Sequence, residues 1–213
     1  MNTKLNELWR QLAKHYSHDD SLINKLYEPI VECHSEPRRH YHTLTHLSAI
    51  FEDLDSLRLD QNSPSTHCIH FAVWFHDIIY KPGSTFNEKE SAKFAEKSLS
   101  TLGVPAEMIK KITYMIKCTE QHNNPQQDEN TQIFLDADMA IIGVGSIAYQ
   151  RYAGKIKEEF ASVPDVLYQL GRKRFIAATL NEERIFQTDY FFSRFEKQAR
   201  INLSNELTCV CSQ

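Results

Sequence analysis

Apolar residues recur at three- and four-residue spacing along most of the chain, as in Leu44, Leu47, Ile50, Phe51 and Leu54, and this predicts amphipathic helices. The same spacing runs through 3–16, 20–33, 66–79, 87–102, 105–119, 139–160, 165–181 and 188–207. Glycine and proline gather at the breaks between these segments, among them Ser63-Pro64, Pro82-Gly-Ser84, Gly103-Val-Pro105 and Val163-Pro-Asp165. Ser63 or Ser65 is expected to cap the helix over 66–79, and Asp165 the helix over 165–181. Alternating, strand-like patterning is nearly absent, and only IFLDAD (133–138) reads either way. The pattern predicts an all-α, single-domain helical bundle over 1–213. Its C-terminal helices, about 143–207, are expected to pack on the helices of about 38–142. No internal repeat or low-complexity linker argues for a second domain.

One segment departs from amphipathic patterning. In FAVWFHDIIY (71–80) apolar residues crowd both flanks of His76 and Asp77. Burying such a pair costs free energy unless each group finds a partner, and an ionised carboxylate costs most. His42 and His46 are four apart in RHYHTLTHL, so on a helix they share one face. Adjacent residues on a helix point about 100° apart. His76 and Asp77 therefore converge only on something compact held against that helix. A divalent transition metal fits, because neutral imidazole and carboxylate are both ligands for such ions. A further acidic pair, Asp136 and Asp138, lies in the apolar frame of IFLDADMAIIG. Singly, these residues have ordinary structural readings: His42 bonded to a carbonyl, Asp136 capping a helix. Together they point to a metal.

Composition narrows the classes. The 213 residues are 41% hydrophobic and 24% charged, which are globular values. The net charge of −4, with no basic run longer than Arg38-Arg39 or Arg172-Lys-Arg174, argues against nucleic acid as a stable partner. No apolar run approaches the roughly 18 residues needed to span a bilayer. The first residues, MNTKLNELWRQLAKHYSHDD, lack the apolar segment of a signal peptide, so cytoplasmic residence is expected and no membrane partner is. The five cysteines are scattered and odd in number, which fits reduced thiols. Oligomeric state is left open by the sequence. Of ten histidines, seven fall between His34 and His76.

The order His…His-Asp…Asp on an all-helical chain resembles the HD superfamily of metal-dependent phosphohydrolases, and more narrowly a bacterial group of roughly 200-residue HD phosphohydrolases. The resemblance runs from YHTLTH through AVWFHDIIY and NEKESA to FLDADMAIIG, and on into GRKRFI, RIFQTDYFF and EKQARINL. It implies a metal held by His46, His76, Asp77 and Asp138, with His42 and Asp136 as alternates for the first and last ligand. The resemblance favours Asp138, because superfamily members usually show a small residue before the last Asp and an apolar stretch after it, as in Ala137-Asp138-Met139. The implied cofactor is one divalent transition metal (Mn, Fe, Co, Ni or Zn); binuclear members of the superfamily hold a second, which leaves one or two ions open for this chain. The implied reaction is hydrolysis of a small phosphorylated molecule, a nucleotide among the candidates. Asp77 is expected to take a proton from the attacking water. Glu88 matches the group's Asn-Glu…Ser-Ala element at the edge of the site, where Asn87 is either a hydrogen-bonding partner or a helix start. His122 is a candidate for a second metal or for phosphate contact.

Guanidinium groups suit phosphate bidentately, so Arg39, Arg172 and Arg200, with Lys81, are candidate substrate contacts. Arg172 and Arg200 have an ordinary alternative as ion pairs with Glu158, Glu159 or Glu196. The competing functional class is a non-catalytic helical ligand-binding or sensor protein that keeps the same scaffold. Retention of all four ligand types favours the enzyme.

Overall fold

The structure, a computed structural model, describes residues 2–211, with side chains over 3–208. It is all-α. The helices are α1 (Asn2–Ala13), α2 (Asp20–His34), α3 (Leu44–Asp55), α4 (Pro64–Phe75), α5 (Asn87–Leu102), α6 (Ala106–Cys118) and α7 (Glu129–Met139). After a 3₁₀ turn at Ala140–Gly143 come α8 (Ser146–Glu159), a second 3₁₀ turn at Phe160–Ser162, α9 (Asp165–Asn181) and α10 (Asp189–Cys211). No single helix among the described residues is long and apolar enough to cross a membrane. Cys33, Cys68 and Cys118 are free thiols; Cys209 and Cys211 lie outside the described side chains.

The chain groups into two compact units, Met1–Leu135 and Asp136–Gln213. In the first, local chemistry sets the helix starts. Asp19 accepts hydrogen bonds from the Ser21 and Leu22 amides, and Thr43 from the Thr45 amide. Ser63 does the same for Ser65, with Pro64 in the first turn, where a missing N–H costs nothing. The core forms around α4, whose residues from Thr66 to Phe75 are buried except His70. A helix apolar all round belongs inside a protein, and α3, α5 and α6 pack on this one. Trp9 lies fully buried with its ring centroid 5.9–6.2 Å from those of Phe71, Trp74 and Phe75, and its indole N–H donates to the Ile23 carbonyl at 2.9 Å. Gly103 ends α5 in the left-handed region (φ +91°), which a side chain resists.

In the second unit, α10 packs on α9, α8 and the turn at Ala140–Gly143. Phe186, Phe191 and Phe195 form its aromatic centre. Asn202 donates to the Ile142 and Val144 carbonyls at 2.9 and 2.7 Å, tying α10 to the turn. Gly143 permits that approach, since a Cβ there would lie 2.5 Å from the Phe195 Cβ and 2.9 Å from its carbonyl oxygen. The expected helix over 139–160 is therefore two elements, a 3₁₀ turn and α8. IFLDAD resolves as helix, within α7. Asp165 is the first residue of α9 rather than its cap, which is Pro164 with no side-chain bond.

Candidate metal centre

His46 lies in the first turn of α3 and His76 immediately follows the last turn of α4. The helix expected to continue to residue 79 stops at Phe75, so Asp77 sits in the turn beyond it. This corrects the picture of His76 and Asp77 splayed about 100° apart along one helix. Past the helix end, the backbone turns both side chains toward His46. His46 Nε2 lies 3.2 Å from His76 Nε2 and 3.8 Å from Asp77 Oδ2, while His76 Nε2 lies 3.0 Å from the same oxygen. These three donors form a group able to hold a metal ion.

The distances suit the donor set. Ligands about 2.1 Å from a common centre lie about 3.4 Å apart in a tetrahedral shell and about 3.0 Å apart in an octahedral one. Protonation also fits. His76 Nδ1 is 3.0 Å from the Val73 carbonyl oxygen, to which it donates its proton, and this leaves Nε2 with a lone pair toward the group. The His46 and His76 rings are 4% and 1% exposed as residues, so the nitrogens are largely withdrawn from bulk water. Tyr41 packs on the His46 ring and Phe134 stands edge-on to the His76 ring.

His42 precedes α3 rather than lying on it, so its relation to His46 is not the shared helix face expected from their spacing. Its Nε2 comes 3.7 Å from Asp77 Oδ2, at the border of the group, with its ring against Tyr80. Asp136 is accounted for elsewhere. Its carboxylate accepts from the Gln187 and Thr188 amides at 2.9 and 2.8 Å and from the Thr188 hydroxyl at 2.6 Å, just before α10. Burial raises its pKa above the ordinary value even against these donors. Asp138 is half-buried, near the end of the same helix.

Glu88, in the first turn of α5, is half-buried. Burial pushes its pKa up, and the negative charges of Asp77 and Glu120 add to that, while its own amide and His122 oppose it. His122 is exposed in the segment between α6 and α7 with a left-handed backbone (φ 47°). Arg172 is tied by two bonds to Glu206 (2.7 and 3.0 Å) and by contacts to the Tyr149 and Tyr152 hydroxyls. Arg200 bonds Glu196 and the carbonyls of Leu180, Glu182 and Glu183. Both guanidinium groups are engaged in structural bonds of the second unit, with Glu206 a partner that the sequence reading did not name.

The turn is held by side chains of α5 that bond backbone rather than a metal ligand or water. Asn87 does not cap α5; the N-cap is Phe86. The Asn87 side chain instead pairs with both backbone groups of Lys81, accepting from the amide and donating to the carbonyl at 3.0 Å each. Ser91, one helical turn later, does the same for Ile79, at 3.1 and 3.2 Å. The Asn-Glu…Ser-Ala element thus staples the segment that follows the His-Asp pair. Arg39, a candidate phosphate contact in the sequence, is buried and donates to the Asp77 and Ile78 carbonyls.

Comparison of the chain with protein-family models, with curated proteins and with solved structures returns no match. Two surface cavities, of about 460 and 310 Å³, lie around Phe160–Asp165 and between α5 and α6, and neither is lined by a residue of the His-Asp group.

Proposed function

We propose that this protein is a metal-dependent phosphohydrolase acting on a small phosphorylated molecule, with nucleotides the first substrates to try. The observation that carries the reading is the spacing of His46 Nε2, His76 Nε2 and Asp77 Oδ2, with the His76 tautomer fixed for ligation by Val73. The resemblance to HD phosphohydrolases, on YHTLTH, FHDIIY and FLDADM, supplies the reaction class and names Asp138 as the fourth ligand. Asp138 is preferred to Asp136, whose carboxylate accepts three hydrogen bonds from Gln187 and Thr188.

A divalent metal, when bound, lowers the pKa of an attacking water and neutralises phosphate charge. The chain's own groups do the rest. His46 and His76 present neutral nitrogens from two different segments and so fix the position of the reacting centre. Asp77 carries a second oxygen that can receive the proton of the attacking water. Glu88, whose raised pKa favours the protonated form beyond the ordinary carboxylate range, is suited to return a proton to the leaving oxygen. His122, whose charge acts on Glu88, is a candidate for contact with the substrate phosphate.

The test is metal analysis of protein purified without chelator, followed by hydrolysis of phosphomonoesters and phosphodiesters with added manganese, cobalt or nickel. Metal-dependent turnover that Asp77→Ala abolishes supports the enzyme. Stoichiometric metal binding with no hydrolysis of any ester would favour the non-catalytic sensor instead.

A further inference from the structure

We propose that Arg39 is a positioning residue of the metal centre, holding its two ligand-bearing segments together through their backbone carbonyls without touching the metal. The inference rests on the metal reading above. Arg39 is 5% exposed, and a guanidinium so deeply buried needs partners for most of its donors. It finds them on both sides of the site. One terminal nitrogen donates to the Asp77 carbonyl at 2.6 Å and comes 3.4 Å from that of His42; the other donates to the Ile78 carbonyl at 3.0 Å. Nε donates to Glu36 at 3.1 Å, which supplies the counter-charge, and the guanidinium carbon stands 5.5 Å from the Tyr80 ring centroid.

The carbonyls it reaches lie just past the C-terminal end of α4, where backbone oxygens lack helical partners and cations are favoured. With Ser91 on Ile79 and Asn87 on Lys81, this completes a set of side-chain anchors on the backbone from Asp77 to Lys81. Arg39 differs from the other two anchors in lying on the same segment as His42, three residues before it, which leads into the turn bearing His46. The planar fork matters here. Two carbonyls from consecutive residues of the distant turn, Asp77 and Ile78, and one from His42 on its own segment are met at fixed angles, which a lysine ammonium at a single point cannot reproduce.

Charge and geometry make opposite predictions for the metal. A buried cation beside the site repels a divalent ion, so a purely electrostatic Arg39 would weaken metal binding and its removal would tighten it. A positioning Arg39 strengthens binding by keeping the donors within ligating distance, and groups that orient metal ligands typically account for about 10–100-fold in affinity.

The experiment is titration of metal-free full-length protein with cobalt(II), read by calorimetry and by the visible ligand-field spectrum. It compares wild type, Arg39→Met, Arg39→Lys and Asp77→Ala, with circular dichroism confirming the fold. The expected result is an affinity about 10–100-fold below wild type for Arg39→Met, with an altered cobalt spectrum at saturation. Arg39→Lys, which keeps the charge, should remain close to Arg39→Met. It is also the variant to read should Arg39→Met fail to fold. A folded Arg39 variant with wild-type or tighter affinity and an unchanged spectrum overturns the proposal and leaves the metal reading intact. A wild type that takes up no cobalt overturns both.

Discussion

At the scale of single residues, two carboxylates in similar sequence settings have different environments. Asp77 lies 3.0 Å from His76 Nε2 and 3.8 Å from His46 Nε2, an arrangement that suits a shared cation. Asp136 is held by three donors of the polypeptide itself. Asp77→Ala is therefore expected to lose metal binding and hydrolysis while keeping its helical circular dichroism. Its metal-free stability should equal or exceed that of wild type, because removing the carboxylate removes a charge that needs the metal as partner. Asp136→Ala should do the reverse. It strands two amides and a hydroxyl, which costs roughly 2–4 kcal/mol in denaturant unfolding, and it should leave metal stoichiometry unchanged. Loss of metal from Asp136→Ala with normal stability would contradict the assignment.

At the scale of elements, the turn after α4 depends on side chains far from it in sequence. Asn87→Ala removes both partners of the Lys81 backbone, and Ser91→Ala both partners of the Ile79 backbone. Each should destabilise the fold by about 1–3 kcal/mol, measured by denaturant titration. The same dependence explains what the sequence could and could not disclose. Helix positions were legible because burial on one face leaves a three- and four-residue period, and the observed α2, α5 and α9 lie close to the spans read from it. The His-Asp pair was legible because an imidazole and a carboxylate are conspicuous in an apolar run. The end of α4 at Phe75 was not, since the apolar residues run on through Ile78 and Ile79 and only tertiary partners turn the chain there. Nor was the role of Arg39: an arginine at a carbonyl and an arginine at a phosphate look alike in sequence. The short α7 was obscured because Leu135, Ala137 and the two aspartates alternate as a strand would.

At the scale of the whole molecule, buried histidines make the fold sensitive to acid. Burial lowers the pKa of His34 from 6.5 to about 3 and that of His70 to about 4, and it lowers His67 as well. His34 Nδ1 donates to the Ile30 carbonyl, while its buried Nε2 has no hydrogen-bond partner among the described residues, so a second proton there would be costly. Such groups bind protons more readily in the unfolded chain, so stability is full above about pH 6.5 and falls as pH drops toward 4 and 3. Asp136 acts in the opposite sense: its raised pKa makes the fold slightly less favourable as pH rises above 3.8. Urea midpoints between pH 8 and pH 4 should therefore decline, and replacing His34 by an isosteric neutral residue such as Gln should flatten the decline in any variant that folds. A pH-independent midpoint would contradict the buried, neutral state of these rings. Whether His46, His76 and Asp77 surround one metal ion is decided by anomalous diffraction. Crystals grown with manganese or cobalt and measured at the metal edge should show one strong peak about 2.0–2.3 Å from His46 Nε2, His76 Nε2 and Asp77 Oδ2. Saturating metal with no peak there, and the two imidazoles hydrogen-bonded directly to each other, would contradict it.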